Sequence, residues 1–379
     1  MILEQNMLRP GRAEDVGISR ARLERVTLLM EDYVKEGKIP GAAMLVARRG
    51  IIVLHRGFGQ MIPLGQTERE PRITQPDTIF LVASPTKPIV ATAVALLIER
   101  GQLLLDDPVS SLLPEFSGAD RREVRVRHLL THTSGLPDML PENVELRQQR
   151  APLEEFLRRT CTTPLLFAPG TDCRYQSMGI LLLGAIVERI AGVSLREFLE
   201  YEFFIPLAMT DSYLGMGRLR RERIATVTLT EQEEQQWTWN SDYWRDLGAP
   251  WGGMHTTVGD YAIFLQMLLN GGRYAGKQIL SQPLVDTMTA NHIPPMPDIP
   301  DRVKLEQAWG LGWRLNQPRG AHHIAEIASP RAFGHAGATG TTAWADPDTG
   351  LICVIFTNQP QAGRLLNTLS NAVAATVID

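Results

Sequence analysis

Cysteine is scarce in this sequence: Cys161, Cys173 and Cys353 are the only ones among 379 residues. An odd and sparse set does not make a disulfide framework, so reduced thiols are expected. Long apolar runs are also missing. The stretches Ile89–Ile98 and Ile180–Val187 fall short of the about 20 residues that cross a bilayer, so both read as core helices and no membrane partner is expected. There is no basic block either. Net charge is −4 and the Arg and Lys residues are spread along the chain, which argues against nucleic acid as a partner. The opening segment, MILEQNMLRPGRAED, has acids and a proline where a secretory leader needs a basic patch and then an apolar stretch. A cytoplasmic protein is expected.

The rest of the composition suits a folded globular chain, with 44% hydrophobic and 21% charged residues. At roughly 100 to 200 residues per domain, the length fits two lobes or one large domain with an insertion. Helical spacing marks Arg20–Glu36. The segments Ala42–Ala47 and Ile51–His55 are short, rich in Val, Ile and Leu, and separated by a turn containing Arg49-Gly50, which is a hairpin signal. Helical spacing resumes from Lys87 to about Arg100, and a mostly helical middle follows to about residue 290, broken by Pro/Gly-rich loops. Strands return at Gly310–Leu315, Phe333–Gly337, Thr341–Asp346 and Leu351–Thr357, before an amphipathic helix over Gln361–Ile378. This order predicts a mixed α/β (α+β) fold: one sheet built from both termini, flanked by helices, with a helical lobe inserted between its halves. The expected boundaries are 1–83 with 300–379 for the sheet domain and 84–299 for the helical domain. Function is expected in the cleft between them.

Ser84-Pro85-Thr86-Lys87 follows the apolar stretch Ile79–Val82 and opens a helical run. Residues three apart on a helix share a face, so the Ser84 hydroxyl and the Lys87 amine can meet. A serine hydroxyl is a weak nucleophile unless a neighbour takes its proton, and an amine made less basic by burial can do so. A helix N-terminus also presents free N–H groups where an oxyanion would form. The tetrapeptide is short and can arise by coincidence. Lysine is rare here, however, and of Lys35, Lys38, Lys87, Lys277 and Lys304 only Lys87 follows a serine at this spacing.

Two further segments accompany it. Arg174-Tyr175-Gln176-Ser177 precedes the apolar helix Ile180–Ile190, and Phe333-Gly-His335-Ala-Gly337-Ala338 lies on a late strand. In this order the motifs resemble those of the β-lactamase and penicillin-binding-protein superfamily. His128-Leu-Leu-Thr-His132-Thr-Ser-Gly-Leu-Pro137, Pro169-Gly-Thr, Leu183-Gly-Ala-Ile-Val-Glu, Pro206-Leu-Ala-Met-Thr-Asp211, Gly252-Gly-Met-His-Thr-Thr and Gly310-Leu-Gly-Trp313 are similar to segments of its class-C-like branch, from about residue 15 onward. The resemblance implies a β-lactamase/transpeptidase-like fold with an antiparallel sheet. It also implies Ser84 as acylated nucleophile, Lys87 as its proton acceptor, and Tyr175 as proton shuttle to the leaving group and the deacylating water. The amides of Ser84 and Ala338 would form the oxyanion hole, and Gly337 would let substrate approach the strand. No metal or cofactor is called for.

Two departures from that pattern bear on substrate. Ser177 stands where true β-lactamases carry an asparagine that holds the acylamido side chain, and its hydroxyl reaches less far. His335 replaces the lysine that binds a β-lactam carboxylate, and a histidine of ordinary pKa is mostly uncharged at neutral pH. Both changes favour small ester substrates, as in family VIII carboxylesterases. β-Lactamase, DD-peptidase or D-amino-acid amidase activity, acyl transfer, and a penicillin-binding sensor remain the alternatives.

Other signals weigh against different chemistries. Gly-x-Ser-x-Gly is absent, since Gly192-Val-Ser194 ends in Arg196. His128 and His132 have ligand spacing but lack the intervening glutamate of a zinc motif and an obvious third ligand. Gly271–Lys277 approaches a phosphate-binding loop but continues with Gln278. Cys173 reads as a buried structural thiol. Trp237, Trp239, Trp244 and Trp251 cluster with Tyr243, either as a packed loop or as an aromatic wall, with Trp251 expected nearest the substrate because it adjoins Gly252-Gly253.

Overall fold

The hairpin of Gly41–Arg48 and Ile51–Ile62 closes on a turn whose chemistry is visible in the sequence. Arg49 and Gly50 both take left-handed backbone, at φ 49 and 80, the combination that matches the twist of two antiparallel strands. The computed structural model describes residues 7–62, 70–316 and 324–379; the first six residues of the segment assessed for a leader lie outside them. Thirteen strands occur among the described residues: β1 (Arg9–Pro10), β2 (Gly41–Arg48), β3 (Ile51–Ile62), β4 (Arg72–Ile73), β5 (Phe80–Leu81), β6 (Tyr213–Leu214), β7 (Met254–Thr256), β8 (Arg273–Tyr274), β9 (Lys277–Gln278), β10 (Arg314–Leu315), β11 (Phe333–Gly337), β12 (Thr341–Asp346) and β13 (Leu351–Thr357). The main sheet has eight strands in the order β1-β3-β2-β13-β12-β11-β10, with β4 on β3. All its pairs are antiparallel except β1 with β3. Both ends of the chain therefore supply this sheet, and β2 lies directly against β13.

Strand alternation divides the core into two layers. Ala42, Met44 and Val46 of β2 and Cys353 and Ile355 of β13 pack with Val26 and Met30 of the Arg20–Lys35 helix and Leu366 and Leu369 of the Gly363–Ala374 helix. Ala43, Leu45 and Ala47, with Ile352, Val354 and Phe356, face the other way, toward the helices Thr86–Glu99, Met178–Ala191 and Val258–Leu269. These last three helices are apolar nearly all round, as helices inside a core must be.

Beside the mostly helical middle expected from the sequence, β5, β7 and β6 form a second, three-stranded sheet, whose strands of two or three residues are too short to show alternation. One hydrophobic cluster runs from the sheet face through all three apolar helices, because the sheet can bury that face only against helices drawn from the middle of the chain. No single helix among the described residues is long and apolar enough to cross a membrane.

Candidate active site

Ser84 sits on the turn between β5 and the Thr86–Glu99 helix. Ala83 before it is left-handed, at φ 55, a conformation disfavoured for any residue with a Cβ and kept only where neighbours enforce it. Four hydrogen bonds do so. Thr339 Oγ1 donates to the Leu81 carbonyl at 2.7 Å and Thr341 Oγ1 to the Val82 carbonyl at 2.6 Å. The Val82 amide donates to Met254 O at 3.0 Å, and the Tyr261 hydroxyl to Pro85 O at 2.9 Å. The Ser84 turn is thus clamped between the C-terminal sheet and the 254–261 segment.

Lys87 is one helical turn on and 1% exposed. Its Nζ lies 3.0 Å from Ser84 Oγ and donates to the Trp251 carbonyl at 2.8 Å. Burial pushes its pKa from 10.5 down to about 7, against a smaller opposing pull from the Asp138 carboxylate. Near neutrality a large share of Lys87 is therefore the free amine, which can accept the serine proton. Trp251, expected from the sequence to touch substrate, does not line the cleft. Its indole is 2% exposed and packs on Phe156 and Trp244, and its part in the site is the main-chain carbonyl that holds Lys87.

Tyr175 lies on the loop before the Met178–Ala191 helix. Lys87 Nζ stands 4.7 Å from its ring centroid. Burial drives the phenol far above its ordinary pKa, so it stays protonated; the Ser84 hydroxyl is near enough to oppose that shift in part. The Tyr175 oxygen nonetheless completes no hydrogen bond. Its contact with Ser84 is too long or too bent to count as one, as catalytic contacts often are before substrate arrives. The ring stacks on Trp309 at 5.9 Å and 27° and neighbours His335 at 5.8 Å. Trp309 is a site residue that the sequence did not single out. Trp313, four residues on, is wholly buried.

On β11, alternation puts Phe333, His335 and Gly337 on one face, and His335 and Gly337 reach the cleft. A Cβ at Gly337 would come within 2.1 Å of Val82 O and 2.9 Å of Pro85 Cδ. The glycine admits the protein's own Ser84 turn, a closer constraint than the approach of substrate expected from the sequence. Among the described residues the amides of Ser84 and Ala338 donate to no other group. His335 Nδ1 lies 2.7 Å from Ala336 O.

Ser177, expected to contact substrate, is 1% exposed and donates its hydroxyl to Asp138 Oδ1 at 2.6 Å. It does not line the cleft, and a substrate contact does not fit this placement.

The cleft in front of Ser84 has a volume of about 700 Å³. Trp237 and Trp239 line it and stack on each other at 5.1 Å, while Trp244 and Trp251 lie behind in the core. Buried Arg147 supports this wall, donating to the Trp237 carbonyl at 2.7 Å and standing 3.8 Å from the Trp244 ring centroid. Arg314 also lines the cleft, 4.8 Å from the centroid of Trp309. Cys173 borders it too, but burial pushes that thiol up to about 12, consistent with an inert structural residue. His128 Nδ1 accepts the Arg125 amide at 3.2 Å, and His132 packs among the rings beneath Tyr175. Among the described residues no group of three His, Cys, Asp or Glu side chains is placed to hold a metal.

N-acetylmuramyl-L-alanine amidase of Bacillus subtilis (strain 168) is 29% identical over 396 residues, covering 93% of this chain and 85% of that protein. Esterase EstB of Burkholderia gladioli is 40% identical over 229 residues, 56% of this chain and 55% of the esterase. A solved family VIII carboxylesterase shares the fold, with a TM-score of 0.73 at 22% identity over 94% of this chain and 99% of that one. The family model described as Beta-lactamase matches residues 26–376, and the chain is a serine hydrolase belonging to the Beta-lactamase family.

Proposed function

We propose that the protein is a carboxylesterase that cleaves short acyl or aryl esters through a covalent acyl-Ser84. The observation that carries this reading is the buried Lys87 amine, 3.0 Å from the Ser84 hydroxyl and depressed to about 7. Lys87 takes the Oγ proton as Oγ attacks the ester carbonyl. The oxyanion is met by the amides of Ser84 and Ala338. On collapse the C–O bond to the alcohol breaks, and the proton held by Lys87 passes through the Tyr175 phenol to the departing oxygen. Water then attacks the acyl carbonyl, its proton passing through the Tyr175 phenol to the Lys87 amine; on collapse the acyl C–Oγ bond breaks, the acid departs, and Lys87 returns that proton to Ser84 Oγ.

Ester preference is supported by what the cleft lacks and what lines it. His335 occupies the place of a carboxylate-binding lysine, the Ser177 hydroxyl is committed to Asp138, and Trp237, Trp239 and Trp309 offer apolar area. A panel of nitrophenyl esters beside a chromogenic cephalosporin, with Ser84→Ala as control, tests it. Rapid cephalosporin turnover with inert esters defeats the ester reading. A second reading, peptidase or amidase, has one observation in its favour: Arg314 brings a cation into the cleft that could receive a substrate carboxylate, and it predicts faster cleavage of amides than of matched esters.

A further inference from the structure

Nothing at the tip of the Tyr175 side chain fixes it, because its oxygen makes no hydrogen bond. Its position must come from the main chain on either side and from the rings around it, and both lead to His132. This residue lies in the His-Thr-Ser-Gly turn, is fully buried, and takes left-handed backbone at φ 60. That turn aims its carbonyl and its ring at the same short segment. The His132 carbonyl accepts the Arg174 amide at 2.9 Å, and the imidazole Nδ1 accepts the Gln176 amide at 3.2 Å. Tyr175 is the residue between those two amides. The imidazole also packs 4.9 Å from the Tyr175 ring and edge-on to Trp309 at 4.2 Å.

Gln176 locks the assembly from the other side. Its Oε1 accepts from Ser134 Oγ at 2.5 Å, and its Nε2 donates to the His128 and Leu129 carbonyls at 3.2 and 3.3 Å. Because Nδ1 is an acceptor, the ring proton belongs on Nε2, which is buried without a partner. Burial and the charges of Lys87, His335 and Arg314 all oppose a second proton, so the ring stays neutral and Nδ1 stays available.

We infer that His132 is a positioning residue, whose carbonyl and imidazole together tie down the peptide on both sides of Tyr175 and so set where the phenol meets the leaving group. This rests on the acyl-enzyme reading of Ser84, Lys87 and Tyr175. The test is kcat and KM for a nitrophenyl ester, with kcat counted per serine titratable by a fluorophosphonate, so that misfolded protein drops out. His132→Ala removes the acceptor, and kcat should fall about 30-fold or more with KM within threefold, since small misplacement of a reacting group costs rate steeply. His132→Asn offers an amide oxygen to Gln176 and tolerates left-handed backbone; it should regain at least tenfold. On a Tyr175→Phe background, His132→Ala should cost less than threefold, because the group it positions is gone. A kcat within threefold of wild type in His132→Ala, no recovery in His132→Asn, or an undiminished loss on Tyr175→Phe overturns the inference. If His132→Ala does not fold, His132→Gln, whose amide sits one methylene farther out, is read against His132→Asn on the same criteria. Ester turnover untouched by Ser84→Ala or Tyr175→Phe sinks the acyl-enzyme reading itself, whereas loss in both with His132→Ala unaffected sinks only the positioning role.

Discussion

Replacing Lys87 by methionine should abolish turnover and yet stabilise the fold, by an amount that depends on pH in one direction only. In the native protein the Lys87 amine titrates at about 7 instead of 10.5 because it is buried, while the unfolded chain keeps the ordinary value. Between those values the unfolded state binds more protons than the native state, so wild-type stability rises with pH across that window. Below about 7 both states hold the proton and the desolvation cost is present in full. The interval from 10.5 to about 7 corresponds, at about 1.4 kcal/mol per pH unit, to about 5 kcal/mol. Methionine removes this cost but gives up the contacts to Ser84 Oγ and the Trp251 carbonyl, each worth about 1 kcal/mol. A net gain of about 2 to 4 kcal/mol is expected at pH 6, shrinking to nothing or to a small loss by pH 10. Urea unfolding of both proteins at pH 6, 8 and 10 measures it, provided the m-values agree. A difference that stays flat across pH, or a variant less stable at pH 6, would show that Lys87 is not a desolvated amine and would remove the proposed base. In the wild type, kcat/KM should rise with pH through about 7 as that amine loses its proton.

Four other outcomes are expected. Gly337→Ala places a Cβ 2.1 Å from Val82 O; it should displace the nucleophile turn and slow acylation by a fluorophosphonate about 100-fold, and an unchanged rate would show that the turn yields freely. Trp239→Ala should raise KM for naphthyl esters about 5- to 10-fold while leaving that for ethyl esters within twofold, and equal effects on both would remove the aromatic wall from substrate binding. His335→Lys should speed acylation of Ser84 by a chromogenic cephalosporin, read by intact mass; no change would mean that carboxylate recognition is not what limits β-lactams. Cys173, with its thiol pushed up to about 12, should resist iodoacetamide at pH 8, and inactivation that tracks its alkylation would contradict the burial described above.

The parts of this protein legible in its sequence are those governed by local geometry. The strands Phe333–Gly337, Thr341–Asp346 and Leu351–Thr357 were readable to the residue, because each is short and set off by glycine or polar turns, and the last is an apolar, largely β-branched run. The expected strand Gly310–Leu315 shrinks to Arg314–Leu315, since Gly310 packs against Met288 O and Gly312 turns left-handed at φ 76. The contacts that complete the site were hidden for a different reason. Trp251 O reaches Lys87 across 164 positions of sequence and Thr341 reaches Val82 across 259. Ser177 meets Asp138 from 39 residues away, so its adjacency to Tyr175 in the sequence misleads about what its hydroxyl touches. His132 looked like half of a metal motif, and only the fold places Arg174 and Gln176 on its carbonyl and ring.

The sequence by itself determined which atoms can react: it puts a hydroxyl three residues before an amine where a helix begins, a spacing at which the two side chains can meet. Only the tertiary structure decided whether that amine is a base. The pitch of a helix is set by its own backbone, but the pKa of Lys87 is set by how completely water is excluded, and that depends on groups distant in sequence, the Tyr175 ring and the Trp251 carbonyl among them, that only the fold brings around it.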